Sequence, residues 1–147
     1  MAAVDAEQTP SSSTGGGGTP PSAGLVQHTF SATFQEEQQL FFQLVVLQRQ
    51  IYAWVGTAPP RLTSLCLAVP TRLDPVPAAT SLLPGPSAAD EDLTSMAQRI
   101  AKRAGQPVAL SVNLPANQPL MRAFAEKRLL QELQTLQLAQ HTAGMGL

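Results

Sequence analysis

The sequence predicts an α+β domain: an antiparallel sheet or sandwich of about six strands with two main helices packed on it. Three observations predict it. A period-two alternation opens the folded part, and a long β-branched and aromatic stretch follows it. Two segments with apolar residues three and four apart then come late in the chain, with a strand-like segment between them. Strands arriving in succession through short turns favour antiparallel pairing, with the helices gathered on one side.

Residues 1–24 are mostly Ser, Thr, Gly, Pro and Ala, with nothing apolar enough to offset the entropy of ordering the backbone, so they read as a disordered arm. Gly15–Gly18 lack a following Gly-Lys-Ser/Thr and are a tether, not a phosphate loop. A single domain is expected over 25–138, with 139–147 a flexible tail.

In "HTFSATFQ", His28, Phe30, Ala32 and Phe34 share one parity and Thr29, Ser31, Thr33 and Gln35 the other, which is a half-buried strand. Residues 39–56, "QLFFQLVVLQRQIYAWVG", are apolar on both parities and too long for one ordinary strand. "QRQ" at 48–50 divides them with a tight turn, and Gly56 with "APP" at 58–60 ends the second half. "RLTSLCLAVP", 61–70, is apolar on both faces and reads as a central strand stopped by Pro70. Prolines 75, 77, 84 and 86 make 70–87 an irregular connection, with "TSLL" at 80–83 a short strand inside it.

The clearest helix places Leu93, Met96, Ala97, Ile100, Ala101 and Ala104 on one face. Asp90, Glu91 and Asp92 stand at its positive end, Arg99, Lys102 and Arg103 toward its negative end, and Gly105 stops it. "PVALSVNL", 107–114, turns Val108, Leu110, Val112 and Leu114 inward as a strand. Asn117 then caps a second helix opening at Pro119, lined by Met121, Phe124, Ala125, Leu129, Leu133 and Leu136. Arg122–Glu126 and Arg128–Glu132 are expected as i,i+4 pairs on its other face.

A net charge of −1 argues against nucleic-acid binding, which needs a basic surface to displace counterions. One cysteine excludes an intramolecular disulfide framework and a multi-thiolate zinc site. No apolar run approaches the ~20 residues that span a bilayer. The N-terminus has no secretory signal pattern, so a cytoplasmic or nuclear location is expected.

Catalytic inventory is thin. A Cys66 nucleophile with His28 as base is conceivable, but Cys66 lies mid-strand among Leu65, Leu67 and Ala68, without a cation to lower its pKa. Adjacent Glu36 and Glu37 face opposite sides of a strand and make no carboxylate pair. The reading is of a non-enzyme without cofactor or metal. The basic segment "QRIAKR", 98–103, suggests an acidic partner or nucleic acid; as a helix end, its cations are also what the dipole favours.

In order and spacing, the series "YAWVG…TSLL…MAQRIAKRAGQPVALSVNL" resembles the proteasome assembly chaperone 4 family, from about His28 to about Leu133. The matching residues are Trp54, Val55 and Gly56; Thr80 to Leu83; Ala97, Gln98, Arg99, Ala101, Lys102 and Arg103; and Ser111, Asn113 and Leu114. Met96 departs from the family's Leu, and the Ser/Gly/Pro arm and the 70–87 connection are not family features. The resemblance implies a non-catalytic assembly chaperone. It implies pairing with a proteasome assembly chaperone 3-like partner of similar fold, and binding of α-type subunits, α5 among them, as the 20S α-ring forms. A different small α+β interaction or scaffold module is the alternative that composition alone allows.

"IYAWVG", 51–56, holds the only Trp and the only Tyr. Ile51, Ala53 and Val55 can face the helices, which sends Tyr52 and Trp54 to the opposite side as core residues or interface anchors. Tyr52, Trp54, Arg99, Lys102 and Arg103 are thus the candidate partner-binding residues.

Overall fold

A computed structural model describes residues 25–83 and 87–145, with side chains over 25–83 and 91–140. The arm read over 1–24 lies outside the described residues, as do 146 and 147. The elements run β1 (Val26–Phe34), β2 (Gln38–Val46), β3 (Ile51–Gly56), β4 (Leu65–Val69), β5 (Ala78–Leu83), α1 (Ser87–Ala104), β6 (Val108–Asn113) and α2 (Pro119–Met145). The strands form one sheet in the order β1-β2-β3-β6-β4-β5.

Four of the five strand pairings are antiparallel and β3–β6 is parallel, so the expected antiparallel sheet is mixed at its centre. The cause lies in the connection: β4, β5 and α1 intervene between β3 and β6. A crossover of that length lets the chain re-enter beside β3 in the same direction. The pair is anchored where the Ile51 N–H donates to the Pro107 carbonyl at 2.9 Å.

One face of the sheet carries the core. Leu40, Phe42, Leu44 and Val46 of β2, Ile51, Ala53 and Val55 of β3, Cys66 and Ala68 of β4, and Val108, Leu110 and Val112 of β6 are buried against both helices. From α1 come Leu93, Met96, Ala97, Ile100 and Ala101; from α2, Met121, Ala125, Leu129 and Leu133. α1 stops at Gly105, whose φ of 70° and N–H bond to the Ala101 carbonyl (2.8 Å) make a left-handed cap.

Several local expectations are corrected. Only Leu65–Val69 of 61–70 is strand, because residues 61–64 bond to side chains of β3 and β6 instead of joining a ladder. Glu36 and Glu37 lie in the β1–β2 turn, not in a strand. The residue preceding α2 is Gln118, not Asn117, and its carbonyl accepts the Arg122 N–H at 3.2 Å. α2 continues as helix through 139–145, which the sequence reads as tail. Arg128 pairs with Glu132 (3.4 Å), but Arg122 does not pair with Glu126. Arg122 is buried, facing Asp92 of α1 at 3.9 Å, while Glu126 is taken by Arg99. The α1–α2 contact widens the buried arc of α2 by one position beyond the apolar stripe, and Arg122 falls inside it.

The β1–β2 hairpin turns through Gln35 and Glu36, both at positive φ (54° and 63°), closed by the Glu37 N–H on the Phe34 carbonyl. Two successive left-handed residues are the geometry that favours Asn-Gly, and side chains with a Cβ are strained there. Replacing Gln35-Glu36 by Asn-Gly is expected to stabilise the fold by about 1 kcal/mol, seen as a Tm roughly 4 °C higher in thermal unfolding. An unchanged or lower Tm would refute that reading of the turn.

Candidate functional site

The sheet's second face has no helix on it. β2 sends Phe41, Gln43 and Val45 there, β3 sends Tyr52 and Trp54, and β4 sends Leu65, Leu67 and Val69, all half-buried. Between them Ala109 and Ser111 of β6 lie deep, because Tyr52 and Trp54 on one side and Leu67 on the other rise above these small residues. Gln27, Thr29, Ser31 and Thr33 of β1 give the face a polar, exposed margin. Among the described residues, no helix or strand layer covers this apolar surface. Burial against its neighbours raises the pKa of Tyr52 above the ordinary phenol value.

Trp54 organises the end of the face. Its indole N–H donates to the Arg61 carbonyl at 2.8 Å, drawing the 57–64 loop over the sheet's end. The same loop is held from β6, where Asn113 Oδ1 accepts the Thr63 N–H at 2.7 Å and the Thr63 hydroxyl. The other end of that amide donates to Ser111 Oγ (3.0 Å) and the Val55 carbonyl (3.4 Å), so Asn113 spends its side chain joining β3, β6 and the loop. Gly56 makes room for the indole: a Cβ there would stand 2.8 Å from Trp54 Cζ2 and 3.2 Å from Asn113 Cβ.

Two grooves flank this clip. One of about 430 Å³ opens on the helix-free face between Phe41, Tyr52, Trp54 and Leu62. The other, about 510 Å³, lies beyond the strand ends between Pro59, Arg61, Asn113 and Pro115, and Arg61 is its one titratable group.

Neither groove holds a catalytic constellation. His28 and Cys66 sit in one row across the sheet, linked through Leu44, Ala53 and Leu110. Four strand spacings of ~4.8 Å put them about 19 Å apart, too far for a nucleophile and its base. His28 instead meets Glu132 of α2 at 3.0 Å, and Cys66 is buried. Among the described residues, no group of three or more His, Cys, Asp or Glu could hold a metal ion, and no helix is long and apolar enough to cross a membrane.

The five candidate residues fall on two sides. Tyr52 and Trp54 lie on the helix-free face; Arg99, Lys102 and Arg103 lie on the exposed side of α1, behind the core. Arg99 is committed within the chain, donating through Nε and Nη2 to both carboxylate oxygens of Glu126 at 2.7 Å. That bidentate bond, outweighing burial, raises its pKa further. At Arg122 burial dominates and lowers the pKa, with Asp92 opposing.

Sequence reasoning missed Phe41, Val45, Leu65, Leu67 and Val69 as surface partners of Tyr52 and Trp54. The signal was present, since apolar residues on both parities of β2 and β4 mean that both faces of the sheet are apolar. The Gly56–Asn113 relation had no such signal, because strand neighbours across a parallel pair are not written in local periodicity.

The family model described as Proteasome assembly chaperone 4 matches residues 39–114. The mouse protein of that name is 35% identical over 108 residues, covering 74% of this chain and 85% of its own. The human protein is 35% identical over 107 residues, covering 73% and 84%. A chain from the crystal structure of a chaperone complex for yeast 20S proteasome assembly superposes with a TM-score of 0.53 at 18% identity, over 78% of this chain and 97% of that one, which shows a common fold.

Gly56→Ala is expected to push the indole off its seat and break its bond to Arg61, costing about 1–3 kcal/mol. Because Trp54 is the only Trp, a red-shifted, more quenchable emission would report the displacement directly. Unaltered emission with unaltered melting would contradict the close-packing account.

Proposed function

The chain belongs to the proteasome assembly chaperone 4 family, and from that premise we propose that it works without catalysis, through protein surfaces, as one half of a heterodimer. Its helix-free face packs against the corresponding face of a proteasome assembly chaperone 3-like partner. The pair holds α-type subunits, α5 among them, while the 20S α-ring assembles. The observation that carries this reading is the uncovered apolar face with Tyr52 and Trp54 at its centre.

The physical case is direct. Contiguous apolar patches beyond a few hundred Å² are uncommon on monomers and mark interaction sites. Here β2, β3 and β4 present eight half-buried side chains on one side, and six of the eight are apolar or aromatic without counting Tyr52. Two sheets packed face to face at ~10 Å would bury them as a sandwich core with helices on both outer sides. Aromatic anchors on such a face carry a disproportionate share of binding energy. The mechanism of the chaperone is then differential binding: the pair occupies a subunit surface that would otherwise mispair, and later subunits displace it by competing for that surface. A cytoplasmic or nuclear site of action follows from the same role.

Leu67→Glu places a charge at the centre of the face, and Tyr52→Ala removes an anchor without touching the loop clip. Each is expected to weaken pairing with the chaperone 3-like partner at least tenfold in a titration of the purified full-length chains. Thr33→Asp on the polar margin should pair normally, and circular dichroism should show all three folded. A wild-type chain that stays monomeric beside the partner, and co-purifies with no free α subunit in native mass spectrometry, would sink the proposal.

A further inference from the structure

On the opposite side of the molecule, besides the Arg122–Asp92 contact, hydrogen bonds bridge α1 and α2 at two places. Arg99 is bonded to Glu126 near one end, and Gln137 Nε2 donates to the Ala104 carbonyl (3.2 Å) at the other. Along α2 the bridges are eleven residues apart, about 17 Å or three helical turns. Beside them, along the α2 face from Ala123 to Gln134, runs a groove of about 380 Å³ lined by exposed Ala123, half-buried Leu130, Lys127, Gln131 and Gln134 of α2 and by Arg103 of α1.

The charges here are unbalanced. Arg103, Lys127 and neighbouring Lys102 are exposed and make no ion pair among the described residues. The one carboxylate lining the groove, Glu126, is already neutralised by Arg99. The helix dipole accounts for cations in the last turn of α1, where Lys102 and Arg103 stand. It does not account for Lys127, in the interior of α2. Apolar Ala123 and Leu130 beside unpaired Arg103 and Lys127, on a chain of net charge −1, make a groove of local opposite sign.

We propose that this groove is a docking site for an acidic amphipathic helix of a partner protein. One or two of its aliphatic side chains seat on Ala123 and Leu130, while carboxylates one turn away on either side meet Arg103 and Lys127. The groove's lining spans α2 from Ala123 to Gln134, about three turns, which matches a helix of about ten to twelve residues. Two antiparallel or crossed helices present ridges and grooves that accept a third in this way. The site is separate from the sheet face, so both surfaces can be occupied at once.

The test uses the full-length chain and a designed peptide, independent of any proteasome subunit, so its failure is distinct from failure of the chaperone reading. The probe is an 18-residue helix with Leu at every third and fourth position and Glu flanking them, and its counterpart carries Lys for Glu (a length of about five turns). Amide shifts are expected at Ala123, Leu130, Gln131 and Gln134 with the acidic peptide alone. Affinity should fall at least tenfold in R103E/K127E, and severalfold in K127E, while circular dichroism is unchanged. It should also fall as salt rises. Equal binding of the Lys peptide, unchanged affinity in the double variant, or shifts centred on Tyr52 and Trp54 would overturn the proposal.

Discussion

A sheet has two faces, and two helices cover only one of them here. Most of the structure follows from that imbalance. Strands at the centre of the sheet carry apolar groups on both parities, so β2, β3 and β4 bury one row of side chains under α1 and α2 and leave another row half-exposed. At ~25 cal/mol per Å², such a row stays unfavourable in water until something covers it. The chain limits the damage with its own geometry. Small Ala109 and Ser111 let Tyr52, Trp54 and Leu67 lean over the valley between them, and the polar rim of β1 bounds the surface on one side. What remains is an apolar face that stays half open to water.

Trp54 shows how one residue serves fold and surface together. Its ring packs over Gly56, its N–H ties down the 57–64 loop, and its exposed side forms part of the groove lined by Phe41, Tyr52 and Leu62. Asn113 holds the same loop from the parallel neighbour strand. Trp-Val-Gly at one strand end and Ser-x-Asn-Leu at the next are therefore two halves of one device, brought side by side by the β3–β6 register, in which Gly56 faces Asn113. Seen this way, the two most distinctive strings in the sequence report a single tertiary contact.

Parity and helical spacing were readable because they are local. Ile51, Ala53 and Val55 face the core, Leu93 through Ala101 form the buried stripe of α1, and Tyr52 and Trp54 point away, all as their spacing dictates. Pairing across the sheet was not readable, because nothing within β3 or β6 says that they run parallel; the long connection between them decides it. Arg122 illustrates the same limit on a helix. Its spacing to Glu126 suits an exposed pair, yet packing of α1 against α2 extends burial to it and leaves Nε and Nη2 without a hydrogen-bond partner, 3.9 Å from Asp92 being its nearest carboxylate contact. Spacing gives the axis of the buried arc, and only the neighbouring helix sets its width.

Arg99, Lys102 and Arg103 stand beside one another in sequence but differ in chemistry once folded. Arg99 is held bidentately and stiffens the α1–α2 seam, whereas Lys102 and Arg103 face solvent. A charged surface and an apolar one make different kinds of contact. Apolar burial around aromatic anchors is insensitive to salt and dissociates slowly, while exposed cations chiefly raise association rates and are screened within a Debye length of about 8–10 Å. Under the proposed chaperone role, the uncovered sheet face suits a lasting contact and the cationic seam an exchangeable one. Because the core layer separates the two surfaces, a substitution on one leaves the other's chemistry intact.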